Sequence, residues 1–146
     1  TLGDFIWWSG LKISDARLGL AAAANSLRKI AAEETTWYLS QHRGKSAADN
    51  SAFLLPAFDE FIIGYADRSA ALPAGLAKNV ISSNGIFRAV ILHKGQVRGL
   101  WKKDIKRGVL SVMPDFFADI PNGLTGKVKH MTMSLAAFYG LSPEKS

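Results

Sequence analysis

Runs of apolar residues separated by glycine turns predict three consecutive antiparallel strands near the middle of the chain. Residues 86–93, 97–103 and 109–113 are each rich in apolar side chains. Lys94-Gly95 and Lys106-Arg107-Gly108 separate these runs. Glycine accepts the positive φ that a tight hairpin turn requires. The pattern therefore predicts a meander that the other segments cover or extend.

The first residues carry the start and stop signals of a short helix. Thr1 is a suitable N-cap, and Asp4 follows three residues later, as in a capping box. The apolar residues continue through Trp8, and Gly10 is a typical helix stop. A first helix is therefore predicted up to Trp8.

A second helix and a hairpin are predicted directly afterwards. Ser14 is a possible N-cap for a helix whose spacing brings four residues to one face: Ala16, Leu20, Ala23 and Ala24. Residues 27–39 indicate two short strands about Glu33-Glu34. The resulting order of helix, turn, helix and β-hairpin is that of a winged helix without its first helix.

The segment between this unit and the meander has a weaker pattern. Residues 42–51 are small and polar without apolar periodicity, which indicates a linker. Residues 53–56 form a short apolar run that ends in proline, and residues 57–69 have the spacing of a short helix. Residues 72–83 contain proline, glycine and asparagine and are predicted to form an exposed loop.

The chain ends in a predicted helix over residues 124–139, which Gly140 terminates. Its apolar stripe consists of Val128, Met131, Leu135 and Phe138. The whole pattern predicts an α+β fold. A partial winged helix, made of a helix-turn-helix and a β-hairpin wing, occupies residues 1–41. A linker over residues 42–52 and a small antiparallel β-barrel-like domain with a C-terminal helix, residues 53–146, follow it.

Composition limits the classes of protein that fit. The 146 residues are 48% hydrophobic and include no cysteine, which excludes disulfides and thiolate metal sites. No stretch approaches the roughly 20 apolar residues of a membrane-spanning helix, so no membrane association is predicted. We expect a cytoplasmic protein.

The net charge of +6 is concentrated in the meander. Residues 88–107 contain seven lysines and arginines and one acidic residue, Asp104. On an alternating strand, Arg98 and Lys102 would project away from the face of Val97 and Trp101. Such cations suit sequence-independent phosphate contacts with DNA. Lysines on exposed strands also prevent edge-to-edge pairing, and this alternative remains open.

The helical unit contributes further candidates for phosphate contact, although its second helix is mainly alanine and is poorly equipped to read bases. A purely structural role for this helix therefore also stays open. We expect the partner to be duplex DNA. The predicted DNA-binding residues are Lys12, Arg17, Arg28, Lys29, Arg98, Lys102, Lys103, Lys106 and Arg107.

No catalytic, metal or cofactor site is predicted. The three histidines, His42, His93 and His130, lack metal-ligand spacing, and no Gly-x-Ser-x-Gly elbow is present. Asp59 and Glu60 are neighbours, which point about 100° apart on a helix and do not face each other.

The apolar first helix is predicted to lack a covering layer. Phe5, Ile6, Trp7 and Trp8 would be covered by a preceding helix in a complete winged helix. We therefore expect the chain to continue upstream into further winged-helix units. Trp7 and Trp8 are expected to be unusually exposed, or to be covered through self-association with another copy.

Several motifs resemble one bacterial protein family. The first group of motifs consists of residues 54–61, Leu-Leu-Pro-Ala-Phe-Asp-Glu-Phe, followed by Gly64-Tyr65 and Asp67-Arg68-Ser69. The second group consists of residues 84–88, Asn-Gly-Ile-Phe-Arg, and residues 99–102, Gly-Leu-Trp-Lys. These motifs look like the C-terminal half of the winged-helix DNA-binding-domain family that includes AlkZ-like interstrand-crosslink DNA glycosylases. Residues 4–11 are similar to the third winged-helix unit of that family.

The resemblance implies three tandem winged-helix units followed by a small β-barrel-like domain, of which this chain would be the last part. Ala89 and Leu100 depart from the family pattern, which commonly has proline and threonine there. The family's glycosylases carry a Gln-x-Gln catalytic motif in an N-terminal unit, whereas this chain has only Gln41 and Gln96, far apart. We therefore predict a DNA-binding module without catalytic residues of its own. The alternative is a packing, interaction or ligand-binding module that no longer contacts DNA.

Overall fold

The computed structural model describes residues 1–32, 34–42, 51–118 and 120–144. By its contacts the chain separates into two units. The first consists of Thr1–Ala47 and Glu60–Arg68, and the second consists of Ala48–Asp59 and Ser69–Ser146. Residues 60–68 thus make their contacts with the helical unit, although the sequence pattern grouped them with the later strands. Most of the predicted linker, residues 43–50, lies outside the described residues.

The first helix of the first unit, α1 (Leu2–Ser9), has the predicted capping box. The Asp4 N–H donates to the Thr1 hydroxyl at 3.1 Å, and that hydroxyl donates to the Asp4 carboxylate at 2.7 Å. Gly10 ends the helix with φ of 68°, a left-handed conformation that suits a residue without Cβ.

The second helix, α2 (Ile13–Ala22), begins two residues earlier than an N-cap at Ser14 predicts. Lys12 is the N-cap, with extended backbone angles and no capping side chain. The Ser14 hydroxyl instead donates to the neighbouring Asp15 carboxylate at 3.2 Å. The prediction of Ser14 as the cap is wrong, because this side chain already lies within the first turn.

A hairpin follows, formed by β1 (Leu27–Ala32) and β2 (Thr35–Ser40) in antiparallel register. Of the predicted turn residues Glu33 and Glu34, the first lies outside the described residues. The short helix α3 (Glu60–Ile63) completes the first unit. It spans only four of the residues 57–69 that were predicted as helical. The Trp7 indole N–H donates to the Ile63 carbonyl at 2.9 Å, and that of Trp8 donates to the Glu60 carboxylate at 3.0 Å.

The second unit is a curled, five-stranded half-barrel sheet with a helix on one side. Its strands lie in the order β3, β4, β5, β6, β7. They are β3 (Ala52–Leu55), β4 (Val90–His93), β5 (Gln96–Lys106), β6 (Val109–Phe116) and β7 (Ser142–Pro143). The first four strands pair antiparallel as predicted, whereas the two-residue β7 pairs parallel to β6.

Both predicted meander turns are present. Lys94 and Gly95 have φ of 53° and 76°, and Arg107 and Gly108 have φ of 50° and 79°. Two consecutive residues with positive φ are the signature of the type I′ hairpin turn, whose twist matches that of the flanking strands. The turns therefore fix the pairing of β4 with β5 and of β5 with β6.

The last helix, α5 (Leu124–Phe138), packs on one face of this sheet. Ile91, Leu124 and Val128 form a buried cluster, against which other apolar side chains pack, among them Leu54, Trp101, Phe116 and Met131. Phe138, the end of the predicted apolar stripe, is instead 82% exposed. Ala136 in the same turn is fully buried, so Phe138 lies on the solvent-exposed side of the last turn of α5.

Residues 72–83 are not the exposed loop that the sequence predicted. They include a 3-10 turn and the short helix α4 (Ala77–Val80), and both Leu72 and Val80 are buried. The Val97 N–H donates to the carbonyl of the preceding Ala71 at 2.8 Å. This segment therefore belongs to the core of the second unit. In the described parts of the chain, no helix has both the length and the apolar character needed to span a membrane.

Candidate nucleic-acid interface

The hairpin of the first unit presents an exposed face that combines apolar and basic side chains. Directly opposite residues share a face, and β1 and β2 pair Arg28 with Leu39 and Ile30 with Trp37. All four are exposed, and Trp37 retains 43% of its accessible surface. This face of the hairpin is therefore open to solvent and combines apolar side chains with a basic one.

The opposite face of the hairpin is anchored to its own unit. There, Lys29 pairs with Tyr38 and Leu27 with Ser40, and the half-buried members are Leu27 and Tyr38. The Lys29 ammonium lies 6.0 Å from the centre of the Tyr38 ring, at the limit of a cation–π interaction. Lys29 therefore lies at the edge of the anchored face, one residue from Arg28 on the exposed face.

The remaining candidates of the first unit lie on or next to α2. Lys12 is the N-cap residue and Arg17 is exposed on the helix surface. Only Ala16 of the ten α2 residues is buried, so the surface of this helix consists mainly of small and apolar side chains. Few side chains of α2 can reach the edges of bases.

A β-bulge at Arg98 interrupts the alternation of side chains along β5. The register pairs Leu92 with Val97 and Ile91 with Gly99, so Arg98 is an extra residue without a partner on β4. A bulge shifts the alternation of side chains by one residue. Val97 therefore shares a face with Lys102, and not with Trp101 as the sequence alternation predicted.

The extra residue itself is drawn into a local contact. The Arg98 guanidinium donates to the Gln96 side-chain carbonyl at 2.7 Å, and Arg98 is half-buried. The alternation of side chains is interrupted at the bulge. The prediction that Arg98 and Lys102 project from the same face of a regular strand is therefore wrong. Burial, together with the nearby charges of Lys94, Lys127 and Arg98, lowers the pKa of His93 on the neighbouring strand.

The two central lysines of β5 point to opposite faces. Lys102 pairs with Met113 on the face of Leu100, whereas Lys103 lies on the face of Trp101 and α5. The Lys103 ammonium donates to the Tyr139 hydroxyl at 2.5 Å and lies 4.3 Å from the centre of its ring. Lys103 is therefore engaged at the end of α5.

The end of the strand is partly neutralised. The Lys106 ammonium lies 2.6 Å from the Asp104 carboxylate. Their hydrogen bond lowers the pKa of Asp104 and raises that of Lys106. Arg107 is exposed in the turn that follows. The basic meander thus consists of separate cations on two faces and an exposed ion pair, and these cations do not line one continuous surface.

Two features of these surfaces were missed by sequence reasoning. The apolar pair Ile30 and Trp37 was detectable in principle from the alternation of the hairpin strands. The exposed Phe58 was quoted only as part of a family motif. Arg88 was counted among the cations of the meander, but its proximity to Lys102 depends on the sheet. No group of three histidine, cysteine, aspartate or glutamate side chains lies together in a metal-binding arrangement within the described ranges.

Comparisons with known proteins show which family the chain resembles in sequence and in fold. The model of the family described as DNA glycosylase AlkZ-like matches residues 1–138. No curated protein matches the chain significantly. The fold is similar to that of the DNA glycosylase AlkZ of Streptomyces sahachiroi, with a TM-score of 0.73 and 18% identity; the match covers 99% of this chain and 41% of that one. The chain therefore spans about two fifths of the length of that structure. Because the family model matches nearly all of it, the chain belongs to the AlkZ-like DNA glycosylase family.

Proposed function

We propose that this chain is a DNA-binding module of an AlkZ-like protein, which contacts duplex phosphates without sequence preference and supplies no catalytic residue of its own. The single observation that carries the proposal is the exposed hairpin face on which Arg28 lies beside Ile30 and Trp37. Membership of a family described as DNA glycosylases supports the same function.

The chemistry of the hairpin fits a DNA groove. A two-stranded ribbon can enter a groove, where basic side chains meet phosphates and apolar side chains contact sugars or wedge between base steps. Arg28 and Lys29 are adjacent in sequence and project from the two faces of β1. They can therefore reach phosphates on both sides of the ribbon, while Trp37 supplies the apolar contact.

The helices fit a supporting role in this proposal. We propose that α1, α2 and the hairpin form a winged-helix unit, in which α2 positions the hairpin and its flanking Lys12 and Arg17 add phosphate contacts. The small side chains of α2 supply little direct base readout. Binding is therefore expected to depend strongly on salt and weakly on sequence.

The cations of the second unit differ in how readily they could contact a phosphate. Lys102 and Arg107 are exposed and suit phosphate contact. Arg98, Lys103 and Lys106 are each engaged with Gln96, Tyr139 and Asp104, respectively. These three are proposed as weaker contacts, because binding a phosphate would compete with an existing interaction.

The hairpin is tested by replacing Arg28 and Lys29 together with glutamine. Loss of two phosphate contacts is expected to weaken binding to a labelled duplex of random sequence and to reduce the slope of log affinity against log salt by about two. Fluorescence anisotropy over a series of salt concentrations measures both quantities. Lys78→Gln combined with Lys94→Gln is the charge-matched control, since both are exposed cations outside the proposed contacts.

An unchanged slope in the double variant would contradict the hairpin as the phosphate contact. The variant Trp37→Ala separates the apolar contribution in the same assay. It is expected to weaken binding while the salt slope stays constant, because no charge is removed. Circular dichroism of each variant checks that the hairpin unit remains folded.

A packing or interaction module remains the second candidate, and exposed aromatic side chains favour it. Trp7 and Trp8 are 57% and 61% exposed, as expected from the sequence. Their indole N–H groups are bonded within the unit, so only the apolar ring surfaces are open to a partner. Absence of duplex binding at low salt, together with self-association that Trp8→Ala removes in analytical ultracentrifugation, would favour this candidate.

A further inference from the structure

Phe58 adopts a backbone conformation that its local sequence does not explain. Three non-glycine residues in the described ranges have positive φ: Phe58 at 58°, Lys94 and Arg107. The last two begin type I′ turns that glycine completes. A bulky aromatic residue with positive φ is strained, and such strain persists where surrounding structure requires it, often at binding sites. Phe58 is nevertheless 53% exposed.

The strained backbone holds the Phe58 ring beside a second aromatic ring. The Phe58 N–H donates to the Phe87 carbonyl at 3.3 Å, and the two ring centres are 6.1 Å apart at an angle of 54°. Phe87 in turn lines an open groove of about 670 Å³ in the second unit. The exposed Phe58 ring therefore lies next to the groove, beside Phe87 and adjacent in sequence to Ala57, both of which line it.

The groove lies on the face of the sheet that carries Lys102. The register places Lys102 opposite Met113 and Leu100 opposite Asp115, and all four residues line the groove together with Ile86. Met113 and Ile86 are about half exposed. The result is a flat apolar floor that is open to solvent, whereas the opposite face of the sheet is covered by α5.

Charged side chains also line the groove, next to its apolar residues. Arg88 and Lys102 line the groove and are exposed. Within the described residues, neither side chain takes part in a hydrogen bond or an ion pair. Asp115 adds one carboxylate. A ligand that fits must therefore combine a flat apolar body, an anionic group for the two cations and a hydrogen-bond donor for the carboxylate.

We propose that this groove binds one unpaired, extrahelical nucleotide of DNA. Its base stacks on Phe58 and lies over Met113 and Ile86, its phosphate contacts Arg88 and Lys102, and its exocyclic amine donates to Asp115. Stacking on an exposed aromatic ring tolerates any base, whereas a carboxylate favours a base with an amino donor, such as cytosine. The inference rests on the proposed DNA-binding function and extends it to unpaired nucleotides.

The test compares two labelled duplexes, one fully paired and one with a single unpaired deoxycytidine. The chain is expected to bind the second about tenfold more tightly, the scale of one stacked base. Phe58→Gly removes the ring and also relieves the positive φ, so this variant should fold at least as stably and lose the preference. Arg88→Gln combined with Lys102→Gln should also lose it. Lys94→Gln, at an exposed hairpin turn, should keep it.

The outcomes of this test distinguish the groove proposal from the proposed DNA binding by the hairpin. Binding of both duplexes with equal affinity by the unaltered chain would overturn the groove proposal and leave the hairpin proposal standing. A preference that survives in Phe58→Gly would also overturn it, because the ring is its central element. Binding of neither duplex at low salt would overturn both proposals. Replacing the unpaired deoxycytidine with thymidine should reduce the preference, and Asp115→Asn should remove this difference.

Discussion

Asp4 joins the start of α1 to a distant part of its unit. Its carboxylate accepts from the Thr1 hydroxyl at 2.7 Å and the Thr1 amino group at 3.1 Å, and its second oxygen accepts from the Ala66 N–H at 3.2 Å. Burial opposes the ionised form, but these hydrogen bonds and the adjacent amino group outweigh burial, so the pKa of Asp4 is lowered. The folded state therefore favours the carboxylate.

Removing this carboxylate should destabilise the chain in a pH-dependent way. Asp4→Ala is expected to lower the free energy of unfolding by about 1 kcal/mol near neutral pH, because the Thr1 hydroxyl and the Ala66 N–H lose a charged acceptor. A lowered folded-state pKa contributes stability above the ordinary value of 3.8 and loses it as pH falls through the folded value. The difference from the unaltered chain should therefore shrink below about pH 3.8.

Urea unfolding at neutral and acidic pH measures this difference. Glu34→Ala is the control, because Glu34 is an exposed carboxylate in the hairpin turn. A destabilisation by Asp4→Ala that persists unchanged in acid would show that the ionised carboxylate is not its cause.

At the scale of elements, β5 depends on close approach to β6. Gly99 is buried and lies opposite Phe116. A Cβ atom added to Gly99 would lie 2.9 Å from the Phe116 Cα and closer still to the Asp115 carbonyl oxygen, both rigid backbone atoms. The position next to the Arg98 bulge therefore requires glycine for space, although its φ is not positive.

A pair of glycine-to-alanine variants tests this packing. Gly99→Ala is expected to lower the free energy of unfolding by about 2–3 kcal/mol, because the strands must separate to admit a methyl group. Gly126→Ala is the matched control within α5, where the added Cβ meets nothing within 4 Å. This control should stabilise the chain by about 0.5–1 kcal/mol, since alanine favours a helix interior. If the two variants change the thermal stability equally, the close approach of Gly99 to the β6 backbone is contradicted.

At the scale of the whole molecule, burial is unevenly divided between the two units. In the described part of the first unit, Ala16 and Ile62 are the buried apolar side chains. The second unit contains the other buried apolar residues, which include Ile91, Leu110 and Leu124. Since burial of apolar surface is the main stabilising contribution, the second unit is expected to be the more stable.

Hydrogen exchange followed by mass spectrometry tests this order. Amides of β4 and β5 should exchange most slowly, and amides of β1 and β2 should exchange much faster, because an isolated two-stranded ribbon is only marginally stable. DNA binding at the hairpin should slow exchange in β1 and β2. Equal protection of the two units without DNA would show that they unfold together.

Signals that act within a few residues were readable from the sequence. The Thr1–Asp4 cap, Gly10 and the turns at Lys94-Gly95 and Arg107-Gly108 were predicted because helix ends and type I′ turns have local chemical requirements. The α+β class and the terminal helix followed from periodicity. The proposed DNA contacts were selected by charge, which indicates phosphate binding but contains no information on which side chains share a face.

The amino-acid sequence by itself therefore determined the first two helices, the main strands with their turns, the terminal helix and the concentration of positive charge. Only the tertiary structure decided the bulge that separates Arg98 from Lys102, the burial of Leu72 and Val80, and the bonds from Trp7 and Trp8 to α3. It also brought Arg88 and Lys102 to one groove. The physical reason is that caps and turns are satisfied by neighbours in sequence, whereas register, burial and grooves depend on residues that are distant in the chain.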